Sequence, residues 1–362
     1  MVRFRSRTKI WALAVGGIAM ALAFSGCQNI RFYGQAATGE YQILAHQTPI
    51  QTLIADTNTP PALREKFKDI LKIRDFAAQE LKLPVTDSYL KYVDLHRPFV
   101  VWNVNVAPAL SLDPKTWWFP VVGRASYRGY FSEKGAQDYA RQWEAKGWDV
   151  YVAGIETYST LGWFRDPLLN TFIGEPVGDL AEIIFHELGH QRLFISGDTD
   201  FNEAFATTVA LEGVRRWFAA AHQPQDYERY RRALEHDNQF VQLVMAARQN
   251  LAADYADPHL DDAAKLRRKA NIIEELRHNY AKLKASWGGS NEYDGWFSHP
   301  INNAKLNTIA AYYDLVPAFQ ALLRENGGDM ERFYNATAAI GKLPFAQRHQ
   351  ELNKLMGKQN GG

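Results

Sequence analysis

The stretch "IIFHELGHQRLFISGDTDFNEAFA", residues 183–206, sets two histidines four positions apart around a glutamate, then opens a second helix-like run with Asn-Glu. The wider run "AEIIFHELGHQRL" is helical by pattern. Leu180, Ile183, Ile184 and Leu188 make an apolar face, and "DLAE", Asp179–Glu182, reads as a capping-box start. On such a helix His186 and His190 are separated by about 400° of rotation, so both imidazoles leave one face a turn apart. That spacing suits two Zn2+ ligands, because metal–nitrogen bonds are only ~2.0–2.1 Å long. Glu187 sits beside the first histidine but is offset around the helix. It can reach a metal-activated water rather than the metal, which is where a general base is needed. The plain alternative is a pair of surface histidines on an amphipathic helix. Against it, two bare imidazoles inside an apolar stretch would be costly.

A catalytic zinc needs a third protein ligand, and Glu203, 13 positions after His190, is the acid best placed to supply it. The chain turns at Gly197, and a new helix is expected near Asp200. Two alternatives stay open. "DFNE" is also a capping box with Asp200 as cap and Glu203 folding back, and Glu212 is a rival ligand. Thr207, one turn after Glu203, could hydrogen-bond a ligand, or be an ordinary buried helix threonine.

Of 362 residues, 46% are hydrophobic and 22% charged, a balance that supports a folded chain with ample core. A net charge of +1 gives no electrostatic footprint for nucleic acid. The first 26 residues stand apart. "MVRFRSRTK" supplies four basic residues and no acid, and the fifteen-residue apolar run "IWALAVGGIAMALAF" is short for a membrane span. The run ends in "FSGC", and Cys27 is the only cysteine in the chain. This resembles a bacterial lipobox, with Phe24 where Leu is usual. It implies cleavage before Cys27 and lipidation of that residue, against a plain signal peptide or an uncleaved anchor. Gln28 rather than Asp then favours the outer membrane, facing the periplasm. Once Cys27 is lipidated no thiol remains, so any metal must be held by His, Asp or Glu. Removing residues 1–26 leaves 37 basic against 40 acidic residues, so membrane attachment would rest on the lipid.

Residues 27–362 read as a single α+β domain, mainly helical, with active-site helices over about 178–220 and a C-terminal helical part over about 225–362. A helix is expected over Pro61–Lys82, strands in "PFVVWNVNVAPAL", "WWFPVVGRASYRGYF" and "DVYVAGIETYS", and a helix in "SEKGAQDYARQWEAKG" ending at Gly147. "SWGGSNEYDGWFSHPINN" reads as the longest loop.

The motifs together resemble a known family. "YRGYF" at 127–131, "YSTLGWFRDPLL" at 158–169, "FHELGHQRLFISGDTDFNEAFAT" at 185–207 and "NNAKLNTIAAYYDLVPAF" at 302–319 are similar to bacterial predicted aminopeptidases with a His-Glu-Leu-Ala/Gly-His-Gln core. The Asn-Glu-x-x-Ala opening resembles that of gluzincins, although the interval from His190 is shorter than usual there. The resemblance implies a zincin-like fold with a small sheet ahead of the zinc helix, one Zn2+ on His186, His190 and Glu203, and Glu187 as base. It also implies an oxyanion donor from a distant segment, here Tyr312 with Tyr313 beside it, and peptide substrates. "YSTLGWFRDP" is expected to wall the cleft. "VVGRASYRGYF" and "VYVAGIETYS" are the candidate edge strands for substrate. Glu156 is a candidate partner for a substrate amine. Endopeptidase action, cell-wall peptide hydrolysis and a catalytically silent lipoprotein scaffold are the competing functions, and a scaffold has no need of Glu187.

The lipobox reading has a direct consequence. Cys27→Ser should abolish incorporation of labelled fatty acid into the protein, followed by gel fluorography of cells grown with labelled palmitate.

Overall fold

The computed structural model describes residues 32–36, 38–119, 123–157, 166–309 and 315–357. Cys27 and the leader, residues 158–165 of the expected cleft wall, and Tyr312 and Tyr313 lie outside the described residues.

Residues 32–36 and 38–45 are helical. Strand β1 (Thr48–Pro49) leads into α1 (Ile50–Ala55) and α2 (Pro61–Gln79), which buries Phe67, Ile70 and Ile73. α2 ends three residues before the expected Lys82, which adopts a left-handed φ of 55°. β2 (Lys91–Val93) pairs antiparallel with β1 and parallel with β8 (Leu168–Leu169).

A second sheet has the order β6-β3-β7, all antiparallel, from β3 (Val101–Ala107), β6 (Tyr127–Tyr130) and β7 (Asp149–Ile155). β4 (Trp117–Phe119) and β5 (Gly123–Ala125) pair separately, so the strand expected over 117–131 is three short ones. Side chains alternate across β3. Trp102, Val104 and Val106 pack with Tyr130 against Ala136, Tyr139 and Ala140 of α3 (Glu133–Glu144). Val101 and Asn103, opposite Ile155 and Gly129, occupy the other face and line the cleft described below.

The rest is helical: α4 (Val177–Arg192), α5 (Thr199–Ala220), α6 (Pro224–Ala256), α7 (Asp262–Ser286), α8 (Asp294–Ser298), α9 (Asn303–Asn307), α10 (Val316–Glu325), α11 (Met330–Gly341) and α12 (Phe345–Gly357). The protein is thus mainly helical α+β. α8 interrupts the stretch expected to be loop. Tyr280 and Lys284 of α7 hydrogen-bond Asp294, and Phe297 stacks on Tyr280 with ring centroids 4.0 Å apart. Among the described residues no helix is long and apolar enough to cross a membrane.

α4 starts at Val177 behind Pro176 with no side-chain cap, so the "DLAE" capping box does not form. The earlier start puts Asp179 in the first turn, where an acid suits the positive end of the helix dipole. Glu182 instead accepts a hydrogen bond from Tyr230 of α6 at 3.0 Å.

α4 and α5 form one apolar core, through Leu180, Ile184, Phe185 and Leu188 from the first and Phe201, Phe205 and Val209 from the second. Glycines let them approach. A Cβ on Gly189 would stand 3.3 Å from the Ala206 Cα, and one on Gly213 would meet the Phe185 ring at 2.5 Å. The turn between them is clamped by one side chain: Asn202 accepts from the Ile195 amide at 2.7 Å and donates to its carbonyl at 2.8 Å. Asp198, not Asp200, caps α5 by accepting from the Phe201 amide at 3.2 Å. The same buried carboxylate receives Arg348 and His349 of α12.

Asp198→Ala should therefore leave Arg348 buried without its counter-charge. We expect a loss of ~3–5 kcal/mol in urea unfolding, well above the ~0.5–2 kcal/mol of a cap alone.

Candidate metal centre

The two helices bring three ligand atoms into a small triangle. His186 Nε2 lies 3.1 Å from His190 Nε2, and Glu203 Oε2 lies 3.3 Å from the first and 3.6 Å from the second. Around a tetrahedral ion with bonds of ~2.0–2.1 Å, ligand atoms stand about 3.3 Å apart. The triangle is that size. His190 is buried and its Nδ1 has no hydrogen-bond partner among the described residues. Among the described residues the ring's polar contacts are those its Nε2 makes toward the triangle. An N/N/O donor set of this spacing fits Zn2+, and the three residues could hold a metal ion.

Local structure explains each position. His186 and His190 are one turn apart on α4, and Gly189 between them brings α5 close. Glu203 is the fifth residue of α5 and takes no part in its cap, since Asp198 holds that role. The capping-box alternative for Glu203 is thereby removed. So is Glu212. It is held by Arg215 at 2.7 Å and Arg216 at 2.6 Å, and it lines a separate cavity of ≈610 Å3. Thr207 is buried and makes no hydrogen bond to the triangle among the described residues.

Charge within the triangle is balanced by proximity. Burial raises the Glu203 carboxyl, but hydrogen bonds and charge from His186 and His190 outweigh it and hold the group down at about 2. Burial likewise lowers the His186 imidazole, while Glu203, Glu187 and Glu182 more than offset it and leave it above its ordinary value. A carboxylate that stays ionised is what a metal ligand must be.

The triangle opens into a cleft of ≈600 Å3 between α4 and the cleft face of the β6-β3-β7 sheet, lined by Asn103, Tyr127, Gly129, Ile155, Glu182 and Glu187 among others. Glu187 shares the cavity with the three ligand atoms. Behind it Tyr89 is buried in a left-handed backbone (φ 62°), and burial followed by the Glu187 charge pushes its phenol well up. Tyr127 at the rim is raised first by burial and then by the Glu203 charge. Glu156, by contrast, is exposed, and the cleft is lined by its neighbours Ile155 and Thr157.

Two cleft residues and one residue at the edge of the sheet were not singled out from the sequence. Glu182 was read as a helix cap, Tyr127 as one strand aromatic among many, and Gln35 not at all. Gln35 donates to the Gly129 carbonyl at 3.3 Å and accepts from the Phe131 amide at 2.8 Å, so its amide occupies one backbone group of β6, the end strand of the sheet, and one just past it. Phe32, from the same segment, lines the cleft. The signal for Glu182 was present, since it precedes His186 by four.

A family model described as "Putative aminopeptidase" matches residues 31–352, most of the chain. The protein belongs to that family. The match spans the sheet, both site helices and the C-terminal helices, so the triangle lies within the family's shared region. Neither the curated proteins nor the solved structures contain a match to the chain.

Replacing one corner of the triangle tests it. Glu203→Ala should lose divalent metal, whereas Glu212→Ala should keep it, with both contents read by inductively coupled plasma mass spectrometry after dialysis. Retention by Glu203→Ala would take that residue out of the site.

Proposed function

We propose that the protein is a zinc-dependent peptidase of zincin-like, gluzincin-type fold, acting as an aminopeptidase. The observation that carries this reading is the convergence of His186, His190 and Glu203 at tetrahedral-edge spacing with Glu187 in the same cavity. Membership of the aminopeptidase family supports the reaction class.

Zinc bound at the triangle would polarise the scissile carbonyl and make a water nucleophilic near neutral pH. The chain does the rest. His186, His190 and Glu203 would hold the ion at the cleft. Glu187 takes the proton of the attacking water and passes it to the leaving amine. The developing oxyanion needs a donor. Tyr312 is the donor implied by the family resemblance, and Tyr127 is a tyrosine that lines the cleft. The β6-β3-β7 sheet supplies the wall against which the substrate lies, with Asn103 and Tyr127 as polar contacts.

The leader reading extends this to location. Cleavage before Cys27 and lipidation there would hold the enzyme in the bacterial envelope, facing the periplasm and more consistent with the outer membrane. Its substrates would then be peptides reaching that compartment.

Glu187→Gln tests the chemistry, because the amide cannot accept a proton while the ligands stay intact. Turnover of a mixed peptide library, read by mass spectrometry, should fall by ~10²–10⁴-fold with metal content unchanged. Near-normal hydrolysis by this variant would remove Glu187 from the mechanism.

A further inference from the structure

Among the described residues three carboxylates line the cleft, and the proposed chemistry employs two of them: Glu203 as ligand and Glu187 as base. Glu182 is left over. It is half-buried, and among the described residues no Lys or Arg pairs with it. Its neighbours are the Tyr230 phenol, which donates to one oxygen at 3.0 Å, together with Asp179, Asp237 and His186. Burial raises this carboxyl, Asp179 adds to the rise, and the Tyr230 hydrogen bond with His186 opposes it. A desolvated carboxylate with acids around it is costly unless a cation arrives. The cavity it lines is where that cation would come from.

Position narrows the cation further. The amine of a peptide's first residue lies two bonds from the first carbonyl carbon. A receptor for it must therefore stand close to the metal ligands, yet not be one. Glu182 precedes His186 by one helical turn, ~5–6 Å at the Cβ atoms, on the face that carries both histidines. At the edge of the sheet Gln35 takes the Gly129 carbonyl and the Phe131 amide, which denies a longer peptide those backbone partners, and Phe32 lines the cleft.

We propose that Glu182 receives the free α-ammonium of the substrate, so that the cleft selects peptides by their unblocked N-terminus. This rests on the peptidase reading above and names its substrate class. The Tyr230 phenol donates to one carboxylate oxygen at 3.0 Å and so ties α4 to α6. The alternative is that Glu182 serves only to tie α4 to α6 through Tyr230. In that case its removal would lower stability without changing which peptides bind.

The experiment uses full-length, zinc-loaded protein in detergent, with matched tripeptides bearing either a free or an N-acetylated terminus. Wild type should cleave the free peptides at least 100-fold better. Glu182→Gln should raise KM for the free peptides about 30- to 100-fold, the loss of ~2–3 kcal/mol at 1.4 kcal/mol per tenfold, with the acetylated peptides and the metal content unaffected. Binding is read separately by calorimetry with leucinamide and N-acetyl-leucinamide, which needs no turnover. Glu182→Gln should lose binding of the first only. Tyr230→Phe keeps the carboxylate and should keep the preference, which controls for loss of packing. If Glu182→Gln retains both the free-amine preference and leucinamide binding, Glu182 is not the receptor. If wild type cleaves acetylated peptides equally well, the substrate class is wrong while the peptidase reading stands. If wild type cleaves neither set, the peptidase reading fails, and calorimetry alone decides whether Glu182 is an ammonium site.

Discussion

The site depends on how closely α4 and α5 approach. Two of the three candidate ligands sit on one helix and the third on the other, so the gap between their axes sets the size of the triangle. A metal site tolerates only about 0.2 Å of error in its bonds. At Gly189 the approach is so close that a Cβ would stand 3.3 Å from the Ala206 backbone, a contact that could be relieved only by moving the helices apart. The glycine between Leu188 and His190 is therefore a distance constraint, and the reciprocal space at Gly213 lets Phe185 lock the same interface one layer deeper.

Distance alone would leave the rotation of α5 undetermined. The turn settles it. Asn202 closes Ile195 through both of its amide functions, and Asp198 fixes the first turn while reaching Arg348 and His349 on the last helix. The short interval between His190 and Glu203 follows from this. With no spare residues in the connection, one asparagine and one aspartate fix both the direction and the phase of the helix that presents Glu203. The apolar residues around them, Phe201 and Phe205 against Phe319 and Phe333, turn that phase into a packed core.

The cleft's charge has the same origin. Placing Glu182, Glu187 and Glu203 around one cavity concentrates negative charge where water is partly excluded. A cation at the triangle and an ammonium beside it would each relieve part of the cost. The sheet opposite contributes no acid among the cleft-lining residues described, so its side of the cavity is polar and aromatic rather than charged.

Much of this was legible in the chain. Four-residue spacing determines that His186 and His190 share a face whatever the rest of the fold does, because α-helical periodicity is local. The helical patterns of α2, α3, α4 and α5 and the β-branched runs of β3 and β7 were legible for the same reason. Caps were less so. "DLAE" and "DFNE" both have the form of a capping box, yet Pro176 started one helix early and Asp198, tied to Arg348, capped the other. Sequence by itself favoured Glu203 and left Glu212 open as a rival, since both are acids on the same helix. Tertiary structure separates them in space: Arg215 and Arg216 hold Glu212 against another cavity, while the Asn202 and Asp198 turn phases α5 so that Glu203 meets the histidines. The roles of Glu182 and Gln35 were not read from the chain, for a related reason. What a carboxylate or an amide does depends on which groups from distant segments face it, and that is settled by packing rather than by spacing.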